Sequence, residues 1–148
     1  MRFILINFIK KMIMNDRDLN LLNIRPNIAS ALISEDTSTN ESFQNKTLRP
    51  ILKLQNSIIL MLFKNYITKH KNNFYTLSLE KRFIYIDNAI QKDIKFRNAL
   101  KGIVVGLFTL EEYELYIQNS SSLNKRMMNM VNERLKDQIQ FFESGALV

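Results

Sequence analysis

The sequence contains no cysteine and no tryptophan, and it has a single histidine, His70. The absence of cysteine excludes a disulfide scaffold, a cysteine nucleophile, a thiolate zinc site and a cysteine-ligated iron–sulfur cluster. One histidine excludes any site that needs two imidazoles from the same chain. The three glycines are too few for a glycine-rich phosphate loop or for the turns of a many-stranded sheet.

The length and the apolar content of the chain predict one domain with a core of its own. The chain has 148 residues, of which 46% are hydrophobic. A domain of this size buries about 70% of the surface that its unfolded chain exposes. The core therefore needs neither disulfides nor a structural metal, and we predict neither a metal nor a cofactor.

The first thirteen residues are apolar, but the apolar run at 3–9 is short and is flanked by Arg2, Lys10 and Lys11. A membrane span needs about 20 apolar residues, and a secretory signal adds a small-residue cleavage site. An amphipathic anchor on a membrane surface is one alternative. We favour the other, that translation begins at Met14 and that 1–13 is an upstream extension. Without a signal, a span or cysteine, we expect a cytoplasmic location.

The pattern between 14 and 45 is weak, and it predicts a flexible N-terminal leader. Arg25 precedes Pro26, which disfavours helix at that point, and the polar stretch at 34–42 has no apolar periodicity. We expect the domain itself over 46–143, followed by a short tail over 144–148. Thr47 is predicted to cap its first helix, which contains Pro50. Alternatively, that helix begins near Asn40 and bends at the proline.

From Thr47 onward, apolar residues recur every three or four positions, which is typical of amphipathic helices. Sequence signals for helix boundaries lie at Ser78, at a phase slip near Asp93, at a capping box formed by Thr109 and Glu112, and at the serines of 120–122. No segment alternates with a period of two. The sequence therefore predicts an all-α fold, a compact bundle of about five helices with a flexible N-terminal leader.

Two helix faces carry further structural expectations. Gly102 and Gly106 have a GxxxG spacing, which predicts a close helix crossing inside the bundle. The last helix carries Met127, Met128 and Met130, for which core filling is the expected use. Its heptad-like spacing also permits a homodimer through the helix at 122–142.

The charge of the chain is concentrated in its middle. The net charge is 0 over 1–41, +9 over 42–110 and −2 over 111–148. On one continuous helix, Lys46, Lys53, Lys64 and Lys71 would fall within about 20° of one direction. Such a lysine stripe could follow a phosphate backbone, although a solvated helix face has the same pattern.

The candidate residues for binding an anionic partner are the lysine stripe, Arg49 beside it, and a second basic cluster at 92–101. They are Lys46, Arg49, Lys53, Lys64, Lys71, Lys92, Lys95, Arg97 and Lys101. Asp93 and Arg97 are four residues apart, so they could pair, and with Asn98 they could line a small pocket. The carboxylates of Glu111, Glu112 and Glu114 are expected to serve the start of a helix. We assign no catalytic and no metal-binding residue.

Four stretches carry a family resemblance: FQN at 43–45, TLRPILKLQN at 47–56, IQKDIKFRN at 90–98 and GLFTLEEY at 106–113. Together they resemble a group of short all-helical bacterial proteins of unknown function that are often labelled glyoxalase. The resemblance spans about 16–142. The label implies lactoylglutathione lyase chemistry, in which a metal held by His and Glu side chains isomerises a glutathione hemithioacetal. It assigns no residue of this chain to that chemistry.

These observations favour a small, non-catalytic, basic helical protein that acts by binding a macromolecular partner, either a protein or a nucleic acid. Nucleic-acid binding through the lysine stripe is one alternative. A glyoxalase-like enzyme, as the resemblance implies, is the other.

Overall fold

A computed structural model describes residues 1–28 and 38–143, with the side chains of 9–12 left aside. The α-helices, in chain order, are α1 (Arg2–Ile13), α2 (Asp16–Ile24), α3 (Thr39–Phe43), α4 (Arg49–Leu54), α5 (Asn56–Lys69), α6 (Leu79–Lys92), α7 (Ile94–Val105), α8 (Leu110–Ile117) and α9 (Ser120–Asp137). A π-helical turn (Gln44–Leu48) joins α3 to α4, and 3-10 turns lie at Asn73–Thr76 and Ile139–Phe142.

The predicted all-α class is confirmed, since the described parts of the chain contain no β-strand. The helices are more numerous than the five expected, because the N-terminal part of the chain forms α1, α2 and α3, and because the expected helix that contains Pro50 is divided into α4 and α5. The backbone leaves the helical region at Gln55, between α4 and α5. It becomes extended at Asp93, which separates α6 from α7 as the phase slip predicts.

The core lies where α9 packs against α6, α7 and the π-helical turn. The face of α9 that carries Leu123, Met127, Val131 and Leu135 is buried. The predicted use of the methionines in the core is therefore confirmed for Met127 and Met128, which are both buried. This apolar face packs inside the chain. The homodimer through the helix at 122–142 stays a prediction.

An aromatic cluster fills one end of the core around Phe63, which is fully buried. The ring of Phe142 contacts it edge-on at 4.9 Å between centroids, and the ring of Phe74 does so at 5.7 Å. Tyr66 and Tyr85 extend this cluster towards the surface, with their rings 6.1 Å apart. Edge-to-face packing of this kind adds about 1 kcal/mol per pair beyond the burial of area.

The helical chain that contains Pro50 begins at Thr39, where the Ser38 side chain accepts a hydrogen bond from the Glu41 amide. The prediction that Thr47 caps this helix is therefore wrong, and the alternative start near Asn40 is confirmed. Proline cannot donate a backbone hydrogen bond. The turn before it is wound as a π-helix, which closes with the Arg49 amide donating to the Gln44 carbonyl.

The predicted flexible leader is helical over Asp16–Ile24, and the 38–45 part of it is also helical. Residues 29–37 lie outside the described residues. The helix α2 is held by its polar side chains: Arg17 donates to the carbonyls of Gly106 (2.8 Å) and Phe108 (2.9 Å). Asp18 is buried and accepts a hydrogen bond from the Leu110 amide at 3.0 Å.

The strongest tie between this segment and the bundle is an ion pair between Arg25 and Glu112. The guanidinium donates to both carboxylate oxygens at 2.6 Å, and it also donates to the Leu107 carbonyl at 2.8 Å. The carboxylate further accepts from the Thr47 hydroxyl at 2.7 Å and from the Thr109 amide at 2.8 Å. We call Arg25, Glu112 and Thr47 the clamp; it fixes the residue before Pro26 against the start of α8.

Of the three remaining predicted helix caps, two are confirmed and one is wrong. Ser78 caps α6, and Thr109 with Glu112 forms the predicted capping box of α8. The helix α9 begins at Ser120 after Asn119, without a side-chain cap. The serines of 120–122 therefore lie inside the first turn of α9 and do not cap it.

The expected close helix crossing at Gly102 is also wrong. Both Gly102 and Gly106 are exposed, and a Cβ atom added at Gly102 would meet no atom within 4 Å. The carbonyl of Gly106 instead accepts the hydrogen bond from Arg17. The Gly106 carbonyl therefore serves the docking of α2, and Gly102 makes no close helix–helix contact.

The described side chains of α1 are exposed, including Phe3 at 84% and Ile4 at 76%. Among the described residues, no helix is long and apolar enough to cross a membrane. The upstream position of 1–13 stays a prediction.

Replacing Glu112 with glutamine should destabilise the fold by about 3 kcal/mol, because it leaves the buried guanidinium of Arg25 without its counter-charge. Urea unfolding of the purified protein measures this loss. The matched control is Glu114→Gln, which changes an exposed carboxylate on the same helix and should cost little. Equal stabilities of the two variants would contradict a structural role of the clamp.

The clamp should also make stability depend on pH. Burial alone would raise the pKa of the Glu112 carboxyl, but the hydrogen bonds and charge of its partners, Arg25 above all, hold that pKa below its usual range. A lowered pKa in the folded state contributes stability at neutral pH that is lost as the pH falls below the usual glutamate range. Urea midpoints measured from pH 7 to pH 3 should fall more steeply for the native chain than for Glu112→Gln. Parallel curves would rule this contribution out.

Candidate functional site

A large cleft lies where the end of α5 faces the bend between α6 and α7. It consists of two adjoining cavities of about 620 and 370 Å³. Both cavities are lined by Tyr66, His70, Asp93 and Lys95. The extended backbone at Asp93 separates the ends of α6 and α7 and so leaves this part of the surface concave.

Tyr66 and Asp93 form the centre of the cleft. The carboxylate of Asp93 caps α7, accepting a hydrogen bond from the Phe96 amide at 3.1 Å. Burial, together with the charge of Asp93 and a hydrogen bond to it, raises the pKa of Tyr66 to about 12. The Tyr66 phenol is therefore protonated and neutral at physiological pH, where it acts as a hydrogen-bonding group.

One wall of the cleft carries aromatic rings. The exposed His70 ring stacks on Tyr66 with 4.0 Å between ring centroids, and its Nδ1–H donates to the Tyr66 carbonyl at 2.8 Å. Tyr85 lies in the larger cavity, and its buried hydroxyl has no hydrogen-bond partner among the described residues. Burial raises the pKa of this phenol as well.

The polar rim of the cleft is basic. Lys92 and Lys95 lie on the two sides of the bend, and Lys69 lies at the end of α5. The lining residues include one carboxylate, Asp93, which is already engaged as a helix cap. We call Lys69, Lys92 and Lys95 the basic rim; it gives the mouth of the cleft a net positive charge.

The four lysines of the predicted stripe do not lie on one helix. A straight stripe requires one continuous α-helix, and the chain here is divided into several elements. Lys46 lies in the π-helical turn, and the bend at Gln55 separates Lys53 from Lys64. Lys71 lies beyond the end of α5 in left-handed backbone, with φ of 61°. The structure therefore places these four lysines on separate elements.

The remaining predicted basic residues also lie apart. Arg49 is exposed and donates to the Asn45 side chain at 2.8 Å, one turn earlier. Lys101 is half-buried on α7. Arg97 lines a different cavity from Asp93, so the prediction that these two residues share one pocket is wrong. Of the nine candidates, the structure brings Lys92 and Lys95 together in the cleft.

The residues of the cleft that the sequence did not reveal are Lys69, Tyr85 and Asn73. Tyr85 has helical spacing within α6 and reads as an ordinary core position, and Lys69 reads as a cation at a helix end. The sequence feature that could have indicated a cleft here is the phase slip at Asp93, because a bend between two helices exposes side chains that a straight helix would bury.

Among the described residues, no group of three His, Asp or Glu side chains is close enough together to hold a metal ion. Comparison of the chain with models of known protein families, with curated proteins and with solved structures finds no match in any of the three.

Proposed function

We propose that this protein acts by binding a macromolecular partner at the cleft, and that the partner is single-stranded nucleic acid. The observation that carries the proposal is the basic rim of Lys69, Lys92 and Lys95 around a cleft with accessible aromatic rings. On this proposal the chain has no catalytic role.

The combination of cations and rings is the one that single strands require. Lysine ammonium groups neutralise backbone phosphates, and aromatic rings stack with unpaired bases, which a duplex keeps hidden. The exposed ring of His70, supported from beneath by Tyr66, offers such a stacking surface. A purely apolar protein partner would have no use for three ammonium groups at the mouth of the cleft.

The concentration of positive charge in the sequence supports the same interpretation. The segment 42–110, which contains the whole cleft, carries a net charge of +9. Such a field attracts a polyanion over a distance of about one Debye length. The positive charge therefore attracts any polyanion, whether single-stranded or double-stranded. The contacts in the cleft are what favour a single strand over a duplex.

Replacing both Lys92 and Lys95 with glutamine should weaken binding of a labelled single-stranded oligonucleotide. The slope of log affinity against log salt should fall by about 1.4, because two phosphate contacts are lost at about 0.7 each. Fluorescence anisotropy at several salt concentrations measures the slope. The control pair is Lys46→Gln with Lys53→Gln, which removes the same charge from exposed positions outside the cleft.

Equal effects of the two pairs of substitutions would show that binding is non-specific attraction, and would contradict the proposal that the cleft is the binding site. Binding of polyglutamate but not of the oligonucleotide, lost in the Lys92 and Lys95 variant, would identify an acidic protein segment as the partner instead. Affinity capture from native cells with and without nuclease tests the partner class independently, since a nucleic-acid partner disappears with nuclease.

The family resemblance generates a competing expectation, which an activity measurement decides. Purified protein, supplied in turn with the usual divalent metals, should not convert the methylglyoxal–glutathione adduct above the uncatalysed rate. Ultraviolet absorbance of the thioester product follows the reaction. Metal-dependent turnover would contradict a purely binding function.

A further inference from the structure

A second cavity of about 370 Å³ lies between α6, α7 and α9, lined by residues outside the cleft. Its floor is apolar, formed by Ile90 and Met128, and the rest of its lining is polar. The polar residues are Gln91, Arg97, Ser121, Lys125, Asn129 and Asn132. The volume is suited to one small ligand rather than to a polymer.

The charge of this cavity has one sign. Arg97 and Lys125 line it, and no carboxylate does. Asp87 is outside this lining and is bound by Lys136 at 2.8 Å and by Asn132 at 2.7 Å. Burial alone would raise the pKa of Asp87, but these bonds lower it, so this acid stays ionised and paired.

Arg97 is half-buried as a residue, and its guanidinium has no hydrogen bond or ion pair with any described residue. The ammonium of Lys125 is likewise unpaired within the described chain. Two cations that line one cavity repel each other. An anion bound between them would remove this repulsion, and a phosphate matches the planar fork of arginine.

The start of α9 adds to the positive potential. Its cap residue, Asn119, makes no side-chain hydrogen bond to the first turn. Ser121, in that turn, lines the cavity. The positive end of this 18-residue helix therefore lies beside the two cations and favours an anion in the same place.

The remaining polar groups suit hydroxyl groups on the ligand. The side chains of Gln91 and Asn129 have no partner within the described chain, and each offers both a donor and an acceptor. The Asn132 amide nitrogen donates to Asp87, which leaves its oxygen free to accept. Amide side chains beside a phosphate site are typical binding groups for the hydroxyl groups of a phosphorylated polyhydroxy compound.

We propose that this cavity binds the phosphomonoester of a small polyhydroxy compound, that is, a sugar phosphate. Arg97 and Lys125 hold the phosphate, and the amides of Gln91 and Asn129 bind the hydroxyls. This site is separate from the cleft, and it does not depend on the nucleic-acid proposal.

The test is a titration of the full chain, labelled with ¹⁵N, with ribose 5-phosphate, followed by amide chemical shifts. Saturable shifts are expected at 121, 125 and 129. Ribose alone should bind at least about tenfold more weakly, because it lacks the charged hydrogen bonds. Arg97→Gln and Lys125→Gln should each weaken binding about tenfold, whereas Lys81→Gln, an exposed control on α6, should leave it unchanged.

The exposed position of Lys125 makes its substitution compatible with folding, so the proposal remains testable if Arg97→Gln is unstable. Absence of saturable shifts, equal binding by ribose, or equal affinities of Lys125→Gln and Lys81→Gln would overturn it. Inorganic phosphate that binds as tightly as ribose 5-phosphate would overturn the role of the amides. Cosedimentation with phosphatidic-acid vesicles without binding of ribose 5-phosphate would indicate a lipid headgroup and contradict a soluble sugar phosphate.

Discussion

The ion pair between Arg25 and Glu112 is the contact on which the arrangement of the chain depends. It joins residues 87 positions apart and brings together the end of α2, the π-helical turn and the start of α8. The side chain of Arg25 is 7% exposed and that of Glu112 is 14% exposed. Burial of this degree alone would raise the pKa of the Glu112 carboxyl, but the hydrogen bonds and the charge of its partners, Arg25 above all, lower it. Any rearrangement of α2 would have to expose or separate these two charged groups.

The clamp and the cleft occupy different regions of the molecule. At the clamp, polar groups bind one another, and the carboxylate of Glu112 accepts four hydrogen bonds. At the cleft, the chain bends at Asp93. Lysine ammonium groups and aromatic rings lie there side by side, and no group of the described protein binds both. Groups that pair internally stabilise the fold, and groups left at a concave surface are available to a ligand.

Positive charge is used in two distinct ways around α7. On one side, Lys92 and Lys95 project from the bend beside aromatic rings, an environment suited to an extended polyanion with exposed bases. In the cavity towards α9, Arg97 and Lys125 lie among amide side chains, and the volume of about 370 Å³ suits a small anion with hydroxyl groups. Residues 95 and 97 are neighbours in sequence but differ by about 200° around the helix, so they serve different cavities.

The sequence by itself determined the helical class, the break at Asp93 and the capping box of Thr109 and Glu112, because each depends on residues within about four positions of one another. It could not determine that Glu112 also binds Arg25, that Thr47 is buried, or that Tyr85 lines a cleft. It also predicted a straight lysine stripe, which a π-helical turn and the bend at Gln55 disrupt. Only the tertiary structure decided these points, since they depend on which distant side chains the packed helices bring within hydrogen-bonding distance.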